Sequence, residues 1–423
     1  EEETQGHNQT AAPYSGRVLI PDVIRPLCQF LSVKDIKECR LVSKSWNYAA
    51  TPVLEARTGT MIDLYRQHYP ENYPRNDNVE EKVNFRPAKI CILIGPHLDD
   101  ALPPMDRKIF SSLTNLKEIY VNFITQPHSP WQMDLCDKII LTSSPTLVHL
   151  RFIYERDLHF PSLGGTVFPK LKELATYHRC LGEPTSDKAV EEIGHAITTG
   201  SFPGLEYLEI DASYLCEMSR MEMLQKFPKS LNSLRLYGDL TTTRIESLLK
   251  IPHPLKKLEF YMVFLLPNDD REDELPTALY NLLKKHAPTL ENLYVDLWIL
   301  RGQYVWKFPA FPVMKSFEIY HTAKLGKFEF ESSPGNFERI GGSVCFPVLE
   351  DLCVFTESSN VSDLDEFLPN GCQVVDWVRK VVCLVHTWDH PETRSRKLTR
   401  DKIETRLMEI FPNAMREIRL VNI

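Results

Sequence analysis

A short apolar pattern recurs along most of the chain and limits the possible fold more than any other feature of the sequence. The pattern is apolar-x-x-apolar-x-apolar, and it is often preceded by Phe-Pro. Clear copies begin at Leu116, Leu147, Leu171, Leu205, Leu231, Leu255, Leu290, Met314, Leu349 and Met415. All but the last of the steps between them are 24 to 35 residues, which indicates stacked strand-plus-helix units that bury one continuous core together. The last step, 66 residues, predicts a degenerate unit near residues 378–384, and an earlier unit is expected at Ile90.

The stretches between the predicted strands have helical periodicity, most clearly over residues 186–197, 243–249 and 275–286. We therefore predict an α/β chain in which about 11–12 strand-helix units form a curved solenoid. This solenoid is expected to occupy residues 87–423. The Phe of each Phe-Pro pair is expected to fill the corner before a strand, where Pro ends the preceding helix.

Apolar positions of each strand should face the core, and the positions between them should face outward on the concave side. On this register Leu208 and Leu258 are predicted core residues. Glu209 and Glu259 are predicted to be surface groups that tolerate truncation.

The N-terminal part differs from the repeats in its pattern of polar and apolar residues. Residues 1–16 are polar and lack periodicity, which predicts a disordered tail. Residues 17–54 predict three short helices, the second opened by a capping box at Ser32 and Asp35, and the third ending before Pro52. Residues 55–86 are predicted to connect this module to the repeats, with a helix around residues 60–68. Three helices over so few residues bury too little apolar surface to be stable without a partner or a neighbouring domain.

The three-helix module resembles an F-box. Phe30-Leu31, Lys34-Asp35-Ile36, Arg40-Leu41-Val42 and Trp46-Asn47 match that motif in register. There are two departures at its start, because Ile20 separates Leu19 from Pro21 and Pro26 lies inside the first helix. Together with the repeats, the chain resembles the F-box/leucine-rich-repeat family of substrate receptors of SCF-type ubiquitin ligases.

The resemblance implies that the module docks onto a Skp-type adaptor and through it onto a cullin–RING ligase, while the solenoid binds an unknown protein substrate. Catalysis would come from these partners. The adaptor-binding residues that it implies are Leu19, Pro21, Ile24, Leu27, Leu31, Ile36, Leu41, Val42 and Trp46. Residues 17–50 carry six basic and three acidic groups, and a charge of +3 on an otherwise acidic chain suits an acidic partner.

Tyrosine is concentrated at the outward positions of the predicted strands. Of 16 tyrosines, seven fall at those positions, which are 30 of 423 residues, where chance would place about one even before strand propensity is allowed for. They are Tyr120, Tyr177, Tyr207, Tyr237, Tyr261, Tyr294 and Tyr320. We predict a substrate-binding wall formed by Tyr177, Tyr207, Tyr237, Tyr261, Tyr294 and Tyr320 with Glu259 and Glu318. Its acidic centre favours a substrate with Lys or Arg near the contact, and sheet packing without a ligand is the alternative.

The composition argues against several classes of partner. A formal net charge of −8 is unsuited to nucleic acid, because phosphate recognition depends on clustered Lys and Arg. No apolar run approaches the roughly 18 residues that a membrane-spanning helix needs. The ten cysteines are scattered without a Cys-x-x-Cys pair, as expected of reduced thiols, so we expect a cytoplasmic and/or nuclear protein.

The sequence has no nucleotide-binding, zinc-protease or serine-hydrolase motif. His386 and His390 are four residues apart, but Pro391 prevents the helix that a two-histidine metal site would need. We therefore expect no catalytic residue, no metal and no cofactor. The alternative to a ligase receptor is a leucine-rich-repeat scaffold or binding protein that acts outside the ligase.

Overall fold

A computed structural model describes most of the chain. The predicted disordered tail, residues 1–16, lies outside the described residues. The described residues are 19–57, 59–63, 89–94, 116–123, 130–154, 160–161, 163, 165–178, 187–265, 274–299, 304–320, 326–333, 336–338, 345–356, 377–386 and 393–421. Among these residues, no helix combines the length and the apolar character needed to cross a membrane.

The N-terminal module consists of α1 (Leu19–Phe30), α2 (Val33–Val42) and α3 (Lys44–Arg57). The Ser32 hydroxyl caps α2 by accepting a hydrogen bond of 3.2 Å from the Asp35 amide, as the capping box predicts. The module has a small core of its own, separate from the main one, whose buried members are Ile24, Cys28, Ile36, Ala49, Ala50 and Leu54.

The predicted end of the third helix before Pro52 is wrong. The helix α3 runs through Pro52 to Arg57. Proline removes one backbone donor, but Ala49, Ala50 and Leu54 on either side of Pro52 are buried in the module core. Their packing holds the last turns in place despite the missing hydrogen bond.

The rest of the described chain is built on one parallel sheet of 13 strands that follow one another in chain order. The strands are β1 (Gly59–Asp63), β2 (Lys89–Ile94), β3 (Glu118–Phe123), β4 (His149–Tyr154), β5 (Glu173–His178), β6 (Tyr207–Asp211), β7 (Ser233–Leu240), β8 (Lys257–Leu265), β9 (Asn292–Ile299), β11 (Ser316–Tyr320), β14 (Asp351–Thr356), β15 (Lys380–His386) and β16 (Met415–Val421). A second, three-stranded sheet contains β10 (Tyr304–Phe308), β12 (Gly326–Ser333) and β13 (Asn336–Glu338). This long parallel sheet is compatible with a curved solenoid, and it confirms the α/β class.

Nearly all of the predicted strands are present. Nine copies of the apolar pattern are each followed, two residues after their first position, by a strand of the long sheet. The predicted early unit corresponds to β2, but its predicted start at Ile90 is three residues late, because Ile90 pairs in register with Ile119, three residues after Leu116. The predicted degenerate unit corresponds to β15. For the tenth copy the predicted start is two residues late, because Met415 itself begins β16, pairs in register with Lys380 and is 62% exposed.

The predicted helix around residues 60–68 is also wrong where the structure describes it. Gly59–Asp63 is the strand β1, which pairs in parallel with β2. The sheet therefore begins inside the predicted connecting segment. A partner strand some 30 residues later supplies the hydrogen bonds, and local periodicity does not reveal it.

Helices connect several of the strands. They are α4 (Pro130–Thr142), α5 (Asp187–Thr198), α6 (Tyr214–Arg220), α7 (Thr242–Leu248), α8 (Leu275–His286) and α9 (Thr393–Ile410). The helices predicted over residues 186–197, 243–249 and 275–286 are confirmed as α5, α7 and α8. The described residues that follow β9 and β11 form the strands β10 and β12, and these two strands pair in parallel.

The main core lies on one side of the long sheet, and Leu208 and Leu258 are fully buried there as predicted. The Phe of each Phe-Pro pair to which this role was assigned is buried as well, which confirms its predicted packing; these residues are Phe168, Phe202, Phe227, Phe311, Phe346 and Phe411. Around β10 and β12 the core is mainly aromatic, with Phe308 contacting Phe317 at 5.8 Å and Phe330 at 5.3 Å between ring centroids.

Candidate functional site

The side of the long sheet that faces away from the main core presents side chains in rows, because the strands are parallel and in register. We call this side the polar face. Its middle row, read from β3 to β14, is Tyr120, Arg151, Ala175, Glu209, Arg235, Glu259, Tyr294, Glu318 and Cys353. Neighbours in this row belong to adjacent strands about 4.8 Å apart, so their side chains interact directly.

Charged groups in the first half of the row are paired. Arg235 donates two hydrogen bonds to Glu259, of 2.8 Å from Nε and 3.2 Å from Nη2. The same guanidinium lies 3.9 Å from Glu209, which is also 3.7 Å from Arg151. Lys257 adds a contact of 3.0 Å to Glu259. The result is a chain of alternating charge across β4, β6, β7 and β8.

The prediction that Glu209 and Glu259 are simple surface groups is wrong. Each is only 5% exposed, because neighbouring side chains in the row cover it. Burial alone would raise the pKa of Glu259, but the hydrogen bonds from Arg235 and Lys257 outweigh burial and lower that pKa. Both carboxylates thus belong to the packing of the sheet.

Four aromatic rings form a second line on the polar face, which we call the tyrosine row: Tyr261, Tyr294, Tyr320 and Phe355. Successive ring centroids are 6.0, 4.9 and 5.5 Å apart. Arg235 caps one end, 5.3 Å from the centre of the Tyr261 ring. Burial raises the pKa of Tyr294 and of Tyr320, so their hydroxyls remain neutral.

Glu318 lies within this aromatic part of the face, in register between Tyr294 and Cys353. Burial, and then the negative charge of Glu259, raise its pKa above the ordinary carboxyl value. Burial and the charge of Glu318 likewise raise the pKa of the Cys353 thiol to about 12, so that thiol is protonated. Within the part of the chain that the structure describes, Glu318 has no ion-pair partner.

The fold brings together only some of the residues of the predicted substrate-binding wall. Tyr261, Tyr294, Tyr320, Glu259 and Glu318 are neighbours, as the register predicts. Tyr207 lies apart from them, and its hydroxyl donates to Glu209 at 3.1 Å. Phe355 lies at an outward position of β14 and packs on Tyr320. The prediction did not include Phe355 because it considered tyrosine alone, although the same spacing indicates this position.

Tyr237 is not part of an accessible wall, contrary to the prediction, since it is 1% exposed. Its ring packs against Tyr177, with 5.2 Å between centroids, and its hydroxyl donates to the Thr176 carbonyl. Gly238, the next residue, has a positive φ of 84°, and a Cβ there would approach Asp211 Oδ1 at 2.9 Å. The backbone of β7 therefore passes close to the Asp211 side chain at the end of β6, while Tyr237 itself is covered by Tyr177, Tyr154 and Thr176.

The helical module has apolar side chains on its surface. Leu27, Leu41 and Val42, three of the predicted adaptor contacts, are 48%, 81% and 67% exposed. Others that were not predicted are exposed as well: Val23 at 54%, Phe30 at 87% and Tyr48 at 69%. Phe30 belonged to the matched motif, whereas nothing in the motif distinguished Val23 and Tyr48.

Four predicted adaptor contacts lie in the core of the module or against it. Ile24 and Ile36 are 2% and 0% exposed, so assigning them to a binding surface is wrong; they form the core that supports it. Leu31 and Trp46 pack partly against that core. Leu19 and Pro21 belong to α1, but their side chains lie outside the described part.

No protein-family model matches the chain, and no curated protein matches it at a significant level. Among the described residues, no group of three or more His, Cys, Asp or Glu side chains is arranged to hold a metal ion. Two surfaces are the candidate functional sites: the exposed apolar side chains of the helical module and the polar face of the sheet.

Proposed function

We propose that this chain is a non-enzymatic substrate receptor of an SCF-type ubiquitin ligase. In this proposal the helical module is an F-box that binds a Skp-type adaptor, and the sheet belongs to a leucine-rich-repeat solenoid that binds a protein substrate. Adaptor and cullin–RING partners supply the catalysis. Assembly with such a ligase would place the chain in the cytoplasm and/or nucleus.

The exposed apolar side chains of the module carry the proposal. A 39-residue helical segment, residues 19–57, leaves Phe30 and Leu41 more than four-fifths exposed while its own buried core contains only six residues. Several large exposed apolar side chains on so small a module are typical of a protein that binds a partner there. A partner that covers them also adds the buried area that the module lacks.

The polar face supports the second half of the proposal. It offers half-buried tyrosines held rigidly between strands, and tyrosine gives a large contact area at a small cost in side-chain entropy. Parallel strands in register give a continuous surface on which a protein segment would contact several units at once. Interfaces of this kind concentrate their binding energy in a few aromatic anchors.

The test is binding of purified Skp-type adaptor to the full chain and to three variants. Leu27→Asp and Leu41→Asp place a carboxylate among the exposed apolar side chains, and each should abolish adaptor binding. Ser45→Asp changes another exposed residue of the same module and should leave binding intact. Substrate capture by the polar face should persist in all variants.

Lack of adaptor binding by the unmutated chain would overturn the receptor proposal. If proteins are still captured through the polar face in that case, the chain is a leucine-rich-repeat scaffold acting outside the ligase. Unchanged adaptor binding by both Leu27→Asp and Leu41→Asp would show that the adaptor does not use this surface.

A further inference from the structure

The middle row of the polar face contains the same arrangement of carboxylates twice, once complete and once lacking a cation. In the complete case Glu209 and Glu259 lie two strands apart, and Arg235 on the strand between them pairs with both. In the other case Glu259 and Glu318 also lie two strands apart, but Tyr294 occupies the strand between them. A tyrosine hydroxyl cannot supply the positive charge that Arg235 supplies.

Charge is consequently unbalanced around Glu318. At the described polar-face positions of β8 and β11, the two carboxylates of Glu259 and Glu318 are accompanied by one lysine, Lys257, a formal charge of −1. Lys257 is engaged with Glu259. Burial and the charge of Glu259 raise the pKa of Glu318, and the charge of Lys257 and a hydrogen bond from Tyr320 offset this rise only in part, so the ionised form is incompletely compensated in the isolated chain.

Ring packing defines what can approach this carboxylate. The rings of Tyr294 and Tyr320 pack with 4.9 Å between centroids and 37° between their planes, and both residues are half-buried, so an incoming group meets aromatic surface and hydroxyls beside Glu318. An arginine suits such a site, because its apolar stem packs on the rings while its planar guanidinium binds a carboxylate in a bidentate manner. Arg235 behaves in this way within the chain, pairing with Glu259 while lying against Tyr261.

From this we infer that the polar face binds a protein segment carrying an arginine, whose guanidinium pairs with Glu318 beside Tyr294 and Tyr320. The inference rests on the proposed role of the polar face in substrate binding, and it names the chemistry of that substrate. The arginine of the partner completes the row by repeating the geometry of Arg235 and Glu259 one step further along the sheet.

The experiment is a selection from a random peptide display library on the immobilised full chain. Peptides retained by the unmutated chain should be enriched in arginine at one position, and replacing that arginine by citrulline or alanine in a selected peptide should weaken binding at least about tenfold. Replacement by lysine should weaken it less, because the charge remains while the bidentate geometry is lost.

Two variants assign the effect to the site. Glu318→Gln should remove the arginine preference without lowering the unfolding temperature, because a half-buried and incompletely compensated charge is replaced by a neutral group. Tyr294→Arg supplies a cation from within the chain at the register position equivalent to Arg235, and should remove the preference as well. Glu206→Gln, an exposed residue paired with Lys172, is the matched control and should behave as the unmutated chain.

Enrichment of acidic or purely apolar peptides, absence of any enrichment, or an arginine preference that survives Glu318→Gln would each overturn the inference. Adaptor binding is measured separately on the same preparations. Its loss would argue against the ligase receptor without affecting the arginine site, whereas a failed selection with intact adaptor binding would refute only the arginine site.

Discussion

The hydroxyl of Tyr237 on β7 donates a hydrogen bond to the carbonyl of Thr176 on β5, across the strand that separates them. The ladder between β5 and β6 extends only to the pair Ala175 and Glu209, so the Thr176 carbonyl lies just beyond it. Tyr237 thus provides the partner for a buried backbone group where the strand pairing ends. A buried carbonyl without any partner is costly, which makes this side chain part of the fold.

Tyr237→Phe should therefore lower the free energy of unfolding by about 1–2 kcal/mol, because it leaves the Thr176 carbonyl unsatisfied. Urea unfolding measures this change. Tyr261→Phe, on the half-exposed tyrosine row, is the control and should change stability by less than about 0.5 kcal/mol. Equal stability of the two variants would mean that Tyr237 packs without contributing its hydrogen bond.

In the helical module, burial separates residues that support the fold from residues that are free to bind. Ile36→Asp should unfold the module, because the carboxylate would enter a core where Ile36 is 0% exposed. Leu41→Asp should leave it folded, since Leu41 is 81% exposed. The measurement is hydrogen exchange of the backbone amides of α1, α2 and α3, because the circular dichroism signal of the full chain contains a large contribution from the rest of the protein. Similar exchange in both variants would contradict this division.

Truncation of Leu258 tests the register of the sheet. Leu258→Ala should lower the free energy of unfolding by about 2–5 kcal/mol through the cavity that it leaves. Met415→Ala also truncates an apolar strand residue, but Met415 is 62% exposed and the loss should stay below about 0.5 kcal/mol. A large loss at Met415 would show that β16 is packed in another register.

Glu259→Ala should also be destabilising, because it leaves Arg235 and Lys257 without their carboxylate. Arg235 is about a quarter exposed, so water partly compensates and we expect a loss of about 1–3 kcal/mol. Comparison with Arg235→Met alone and with the double variant measures the coupling between the two residues. Additive losses would show that the pair contributes no coupling energy to the fold.

His286 at the end of α8 makes stability depend on pH. It is 0% exposed, and its Nδ1 accepts a hydrogen bond of 3.1 Å from the Leu255 amide. Burial, then the charge of Lys285, lowers its pKa from 6.5 to about 4. The unfolded chain therefore binds the proton more readily, so stability from the neutral imidazole is complete above pH 6.5 and is lost as the pH falls towards 4.

His286→Asn retains an acceptor for the Leu255 amide but does not titrate. Between pH 6.5 and pH 4.5 it should lose less stability than the unmutated chain, and the full contribution of His286 corresponds to about 3 kcal/mol. His195→Asn, at an exposed position of α5, should follow the unmutated chain. Parallel losses in all three proteins would place the titration of His286 outside this range.

The periodicity of apolar residues predicted those features of the fold that depend on the local sequence. The positions of Leu208 and Leu258, the bounds of α8 and the rows of tyrosines follow from spacing alone, since alternate strand residues share a face. The spacing of residues along the chain carries no information on how deeply a side chain is buried. It therefore did not show that Tyr237 and Glu259 are buried by neighbours from other strands. It also missed β1, whose strand conformation depends on pairing with β2 rather than on its own residues.

The strands β10 and β12, which follow β9 and β11, have a consequence for how the long sheet is expected to bend. Packed helices need an axial separation of about 8–10 Å, twice the separation of about 4.8 Å between strands, and this difference in width forces an array to arch. Where β10 and β12 pair and Phe308 of β10 packs on Phe317 of β11, strands lie against strands, and this difference in width is absent. We therefore expect the long sheet to bend less around Tyr294, Tyr320 and Glu318, which belong to β9 and β11. A partner could therefore lie flat across them, without having to fit the inside of a tight bend.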